Sequence, residues 1–185
     1  MPATRPSGGR TIFKKALDFG VTAAELSEIV THLAFYSGWS NAISAVPALK
    51  SIFAQRRTDQ AQLPEVIPAL VPLNEAAEEQ RASTVQQSFG QVAPGVVQYI
   101  ADILFRYLWL RPALAPRHRS LVTVCALIAS GQVAQVTYHL NRAMDNGLTK
   151  EQASEVLTNL AFCAGWPNVL SALPIVEQVF EGRQA

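Results

Sequence analysis

The chain has 185 residues, enough for one compact domain or two closely fused halves, and 49% of them are apolar, ample for a packed core. Fifteen basic residues against 14 acidic ones leave a net charge of +1 with no basic run, so no field of one sign draws the protein onto nucleic acid or an anionic membrane. Two cysteines, Cys125 and Cys163, are too few for a disulfide framework and, lying in apolar runs, read as free buried thiols.

The opening MPATRPSGGR is polar and lacks the apolar stretch of a secretory leader. The longest apolar run, Leu121 to Ala129, is too short to cross a bilayer. The expectation is a cytoplasmic protein with no membrane partner. Thr11 to Phe19 reads as a helix closed by Gly20, a residue suited to the left-handed position after a helix. Thr22 followed three residues later by Glu25 forms a capping box, and Leu26, Ile29, Val30, Leu33 and Ala34 then recur at helical spacing. His32 reads as a partly exposed residue of this helix. Gly38-Trp39 interrupts it, and a further helix runs to Phe53 with Pro47 inside, where one backbone donor is missing and a kink is expected.

Residues 58–73 are a Pro-spaced, extended connector. Asn74 to Phe89 predicts a polar amphipathic helix, and Val96 to Leu110 a second helix rich in large apolar residues, stopped by Arg111-Pro112. Pro116-Arg-His-Arg-Ser120 leads into an apolar helix, Leu121 to Ser130; Gly131 breaks it and Val133 to Asn146 forms the next. After Gly147 the earlier pattern returns: Thr149 with Gln152, then Ala153, Val156, Leu157, Leu160 and Ala161, then Gly165-Trp166-Pro167 and a last helix to Phe180. No alternating strand pattern with hairpin turns occurs, so the fold class is all-α.

The return is an internal repeat. Gly20 to Phe53 and Gly147 to Phe180 align without a gap at an offset of 127, with 15 of 34 positions identical. The expected organisation is a partial unit over 1–57, a linker over 58–73 and a complete unit over 74–185.

Three phrases of the second unit, Leu114-Ala-Pro-Arg117-His-Arg119-Ser-Leu-Val, His139-Leu-Asn-Arg142-Ala-Met-Asp-Asn-Gly147-Leu-Thr and Leu160-Ala-Phe-Cys-Ala-Gly165-Trp-Pro-Asn168, resemble the carboxymuconolactone decarboxylase family, with Phe89-Gly90 and Leu104 to Pro112 similar to its lead-in. Residues 14–53 resemble the back half of a second copy. The resemblance implies an alkylhydroperoxidase D-like helical fold, assembly as a homo-oligomer (trimer or hexamer), and cofactor-free decarboxylation of a carboxylated muconolactone in aromatic catabolism. It also implies relatives that reduce peroxides through a Cys-x-x-Cys pair; here those positions are Gln132 and Gln135, and the upstream Glu position is Ser120, none of which supplies a reactive thiolate.

Decarboxylation of such a substrate needs groups that hold an anion and one that delivers a proton. Arg binds carboxylate bidentately and His donates protons near neutrality. His139 and Arg142, three residues apart on one helix, are neighbours on its surface. The expected catalytic set is His139, Arg119 and Arg142, with Arg117, Trp166 and Asn168 contacting a small carboxylate substrate. No metal-ligand spacing is present among the three histidines, so no metal is expected, and the resemblance implies no cofactor. In the first unit Ile12 stands where His139 stands and the counterparts of Arg117, Arg119 and Ser120 are missing; that unit is expected to be structural. A peroxiredoxin-like protein working without the Cys pair, and a non-catalytic oligomeric relative, are the alternatives.

Overall fold

The computed structural model of the protein describes residues 8–183; the first seven residues of the opening segment read above as no leader, and the last two residues of the chain, lie outside the described residues. Among the described residues there are nine α-helices and no strand. Among the described residues no helix is long and apolar enough to cross a membrane.

The first repeat contributes α1 (Gly8–Asp18), α2 (Ala23–Tyr36) and α3 (Trp39–Arg56). The second contributes α6 (Pro116–Ala129), α7 (Val136–Asp145), α8 (Lys150–Ala164) and α9 (Trp166–Gly182). Between them lie α4 (Glu75–Phe89) and α5 (Pro94–Tyr99). Local chemistry sets the matching boundaries. Gly20 and Gly147 take φ of 96° and 92°, and the amide after each donates back to the helix just ended, Val21 to Ala16 O at 3.0 Å and Leu148 to Ala143 O at 2.9 Å. Thr22 and Thr149 then cap α2 and α8, each accepting from the amide three residues on while Glu25 and Gln152 reach back to the cap amides. Gly38 and Gly165, at φ 90° and 92°, turn the chain into α3 and α9. Pro47 and Pro174 lie within helices that continue past them.

Two apolar clusters result. Leu26, Val30, Ala34, Ala42 and Leu49 pack with Phe13 and Leu17 in the first repeat. Val124, Leu127, Ile128, Val136, Leu140 and Val176 centre the larger one in the second. The repeats are joined where α2 packs along α6.

Three expectations are corrected. Val96 to Leu110 is not one helix: α5 passes into a widened π turn at Ile100–Phe105 and a 3-10 turn at Leu108–Leu110. The 3-10 turn lets the three consecutive residues Leu108, Trp109 and Leu110 all be buried, whereas a regular helix fans successive side chains around its axis. The Pro116–Ser120 lead-in is already helical, since a proline in the first turn sacrifices a donor with no partner there. Val133 to Asn146 divides into a 3-10 turn, Val133–Gln135, followed by α7.

Candidate functional site

The α2–α6 seam buries charge. Glu28 of α2 and Arg119 of α6 are both fully buried, as are His32 and Thr123 beside them. Arg119 donates through Nη2 to Glu28 Oε1 at 3.1 Å and to the Arg111 carbonyl at 2.7 Å. Arg111, just after the Leu108–Leu110 turn, donates through Nε to both Glu28 oxygens at 2.9 and 3.1 Å, and through its other nitrogens to the carbonyls of Glu65 and Val66 and to the Tyr107 hydroxyl. The connector is therefore tied to the seam through its backbone. Burial opposes the Arg111 charge, but the hydrogen bonds and charge of Glu28 outweigh it and raise its pKa. Burial wins at Arg119, whose pKa is lowered although Glu28 opposes the shift.

His32 is the next link. The Thr123 hydroxyl donates to the Arg119 carbonyl at 3.0 Å, so it accepts from His32 Nε2 at 2.7 Å. His32 Nδ1 is then bare and accepts from Arg119 Nη1 at 3.2 Å. Burial first, then the Arg119 charge and His139, hold the His32 pKa down to about 3, in keeping with this neutral tautomer.

Aromatic rings carry the cluster to α7. Tyr36 stacks on His32 at 4.9 Å between centroids and accepts from Trp109 Nε1 at 2.9 Å. Trp109 stacks on His139 at 5.7 Å, and the Arg142 guanidinium lies 4.2 Å from its ring centre. Arg142 also donates to the Tyr138 hydroxyl at 3.1 Å. His139 is 7% exposed; burial, with the Arg142 charge second, depresses its pKa to about 4. Three buried polar atoms in this region have no hydrogen-bond partner among the described residues: Arg119 Nε, His139 Nδ1 and Arg142 Nε. Among the described residues Glu28 is the carboxylate paired with Arg111 and Arg119, and Arg142 makes no ion pair. The cluster thus holds an excess of positive charge together with unsatisfied nitrogens. Such an environment favours a small anion.

His139, Arg119 and Arg142 share this cluster. The other candidates are engaged elsewhere. Arg117 donates to the Gly147 carbonyl and to Gln152 Oε1, stapling the turn before α8. The Asn168 amide donates to the carbonyls of Ala129 and Ala164, tying the α9 start to the end of α6. Trp166 is 57% exposed and lines an outer groove of about 760 Å³ between α8 and α9. Cys125 is partly buried and its pKa is pushed up to about 11 by that burial, whereas Cys163 is exposed, which corrects the reading of two buried thiols.

Glu28, His32 and Tyr36 were missed by sequence reasoning. His32, which the helical spacing predicts to be partly exposed, is fully buried, and α2 of the first repeat, a unit expected to be structural, supplies three of the side chains around Arg119 and His139. A signal was present: Glu28, His32 and Tyr36 sit at i, i+4 and i+8, one helical face carrying hydrogen-bonding groups. Nothing local said that the face is buried.

Residues 9–51 and 94–178 match the family described as carboxymuconolactone decarboxylase. The chain is 36% identical over 84 residues to a 4-carboxymuconolactone decarboxylase of Acinetobacter baylyi, a stretch that covers 45% of this chain and 62% of that protein. It is 25% identical over 81 residues to a nitrosuccinic acid decarboxylase of Metarhizium robertsii, covering 44% of this chain and 57% of that protein. The matched stretches span about three fifths of the length of these curated relatives.

Proposed function

The chain belongs to the carboxymuconolactone decarboxylase family, and from that premise we propose that it is a cofactor-free lyase that decarboxylates a small carboxylated acid, with a carboxylated lactone of the 4-carboxymuconolactone kind as the first candidate. The observation that carries the reading is the combination of an uncompensated Arg142, an unpartnered Arg119 Nε and an unpartnered His139 Nδ1 in one buried cluster. The names of the two relatives share the same chemistry, loss of CO2 from a small acid, on different substrate skeletons.

In this reading Arg142 holds a substrate carboxylate, and the Trp109 face keeps its guanidinium in place. Arg119 is immobilised by Glu28, Arg111 and His32 and presents only its Nε edge. The bond to the departing carboxylate breaks heterolytically. CO2 leaves, and the electron pair stays on carbon, spread into the neighbouring electron-withdrawing group. His139 protonates that carbon. Burial and Arg142 disfavour its cation, so the imidazole is neutral near neutral pH. A bound carboxylate reverses the local field by offsetting Arg142, so the imidazole takes up a proton as the substrate binds and returns it in the reaction. The charge of the substrate arms its own acid.

The test is consumption of 4-carboxymuconolactone by purified protein, followed with CO2 release and a His139→Ala control. Turnover that the variant loses supports the reading. Folded protein that turns over neither carboxylated lactones nor 2-nitro dicarboxylic acids sinks it.

A further inference from the structure

Tyr36, Tyr107 and Tyr138 each accept a hydrogen bond through the hydroxyl, and they differ in what becomes of their own proton. Tyr107 accepts from Arg111 Nη1 at 3.0 Å and donates to the Val66 carbonyl at 3.1 Å. Tyr138 accepts from Arg142 and is exposed, so its proton has water as a partner. Tyr36 accepts from Trp109 Nε1 at 2.9 Å, and no acceptor among the described residues takes its proton. An indole nitrogen only donates, so this bond occupies an oxygen lone pair and turns the Tyr36 O–H away from Trp109. His139 Nδ1 does not receive it, being itself without a partner among the described residues. Yet Tyr36 is half-buried, stacked on His32 and edge-on to His139 at 5.5 Å and to Trp109 at 6.5 Å. An enclosed donor with no acceptor is costly unless a ligand oxygen takes its hydrogen bond. Burial pushes the Tyr36 pKa up, against the Trp109 hydrogen bond and the Arg142 charge, so the hydroxyl keeps its proton near neutral pH.

Loss of CO2 from a carboxylated lactone leaves an electron pair that moves onto the ring carbonyl oxygen. A donor fixed in place before the reaction stabilises the charge on that oxygen most effectively, and a neutral one does so without competing with Arg142 for the substrate carboxylate. We propose that Tyr36 is a further catalytic residue, its hydroxyl donating a hydrogen bond to the enolate oxygen formed as CO2 departs, a role that rests on the lyase reading above. The bond from carbon to the departing carboxylate breaks and its electron pair becomes the enolate, while the Tyr36 proton stays on Tyr36. When His139 delivers its proton to carbon, the pair returns from oxygen to form the new C–H bond and the carbonyl is restored. The first repeat then takes part in the chemistry itself, in addition to holding Arg119 through Glu28 and His32.

Two probes separate this role from substrate holding. Tetronic acid, whose enol is ionised near neutrality, carries its negative charge on enolate oxygens; γ-carboxy-γ-butyrolactone carries it on a carboxylate. Calorimetric titration of Tyr36→Phe, with circular dichroism confirming its fold, should show tetronate affinity lowered about ten- to hundredfold and γ-carboxy-γ-butyrolactone affinity within about threefold of wild type. Where lactone turnover is measured, kcat should fall roughly a hundredfold with KM nearly unchanged. Tyr99→Phe, at an exposed tyrosine, should alter none of these. Fluorotyrosine installed at position 36 keeps the ring and the Trp109 bond while making the hydroxyl a stronger donor, and should tighten tetronate binding. Wild-type protein that binds no tetronate, a Tyr36→Phe variant that binds it as wild type does or loses both probes alike, or fluorotyrosine that leaves binding level or weaker would each overturn the proposal. Protein that shows the tetronate difference yet decarboxylates no lactone would support Tyr36 as the enolate donor and place the failure in the lyase reading.

Discussion

Glu28 and Arg119, from different repeats and 91 residues apart, are joined by a 3.1 Å hydrogen bond in which neither side chain reaches solvent. The bond ties the repeats together at a place where no water can substitute for either partner. Glu28→Ala therefore leaves two buried guanidiniums without their carboxylate and is expected to cost about 3–5 kcal/mol of stability. Glu155, its counterpart in the second repeat, is exposed, and Glu155→Ala should change stability by less than about 0.5 kcal/mol. Urea unfolding of the two variants checks this; similar small losses would mean that the seam does not depend on its ion pairs.

Acid should weaken the fold earlier than carboxylate protonation alone would. His32 and His139 are depressed from 6.5 to about 3 and about 4 by burial, with Arg119 and Arg142 adding to the effect. Between those values and 6.5 the unfolded chain binds protons that the folded chain does not, so stability falls as the pH drops through this window and is level above it. Two such groups give a slope of at most about 2.7 kcal/mol per pH unit. His32→Asn, which installs the residue found at the matching position of the second repeat, should remove about half of that slope. Unfolding free energies at several values between pH 5 and 7 decide it.

Arg142→Gln keeps a hydrogen-bonding side chain and removes the charge. If Arg142 holds the substrate carboxylate, the lost charge-assisted bond is worth about 1.5–3 kcal/mol, roughly a ten- to hundredfold drop in kcat/KM. Arg117→Gln, at a residue bonded to the Gly147 turn, should leave kcat/KM within about threefold of wild type while lowering stability. Equal kinetic losses in both variants would place the anion elsewhere.

Binding of a non-reactive carboxylated lactone near neutral pH should draw about one proton from solution, because the anion lifts His139 out of its depressed range. Calorimetry in two buffers of different ionisation enthalpy measures that uptake directly. His139→Ala should bind with none, and an unchanged uptake in the variant would assign the proton to another group.

The two thiols should behave differently. Cys163 is exposed and should be alkylated rapidly in the native protein; Cys125, partly buried and shifted up to about 11, should react only after unfolding. Mass spectrometry after timed labelling reads both. Cys125→Ser and Cys163→Ser should each leave lyase turnover within about twofold, since nucleophilic sulfur has no part in the proposed reaction.

Much of the fold was legible along the chain because its signals are local. Capping boxes at Thr22 and Thr149, the turns at Gly20 and Gly147, and apolar residues at helical spacing depend on neighbours within a few positions, and the repeat stated each of them twice. His139 and Arg142 were paired for the same reason, being three residues apart on one helix. What spacing could not supply was the break after α5, where the burial of the consecutive Leu108, Trp109 and Leu110 overrides a continuous helical pattern. Nor could it show that α2 turns Glu28, His32 and Tyr36 toward α6 while α8 leaves the matching Glu155, Asn159 and Cys163 exposed. By itself the sequence determined an all-α chain of two related units and the chemical types on each helix, because helical periodicity and capping are short-range. Only the tertiary structure decided which faces meet, and so which arginine is locked by Glu28 and which is left with charge to offer, because burial and ion pairing are set by residues distant in the chain.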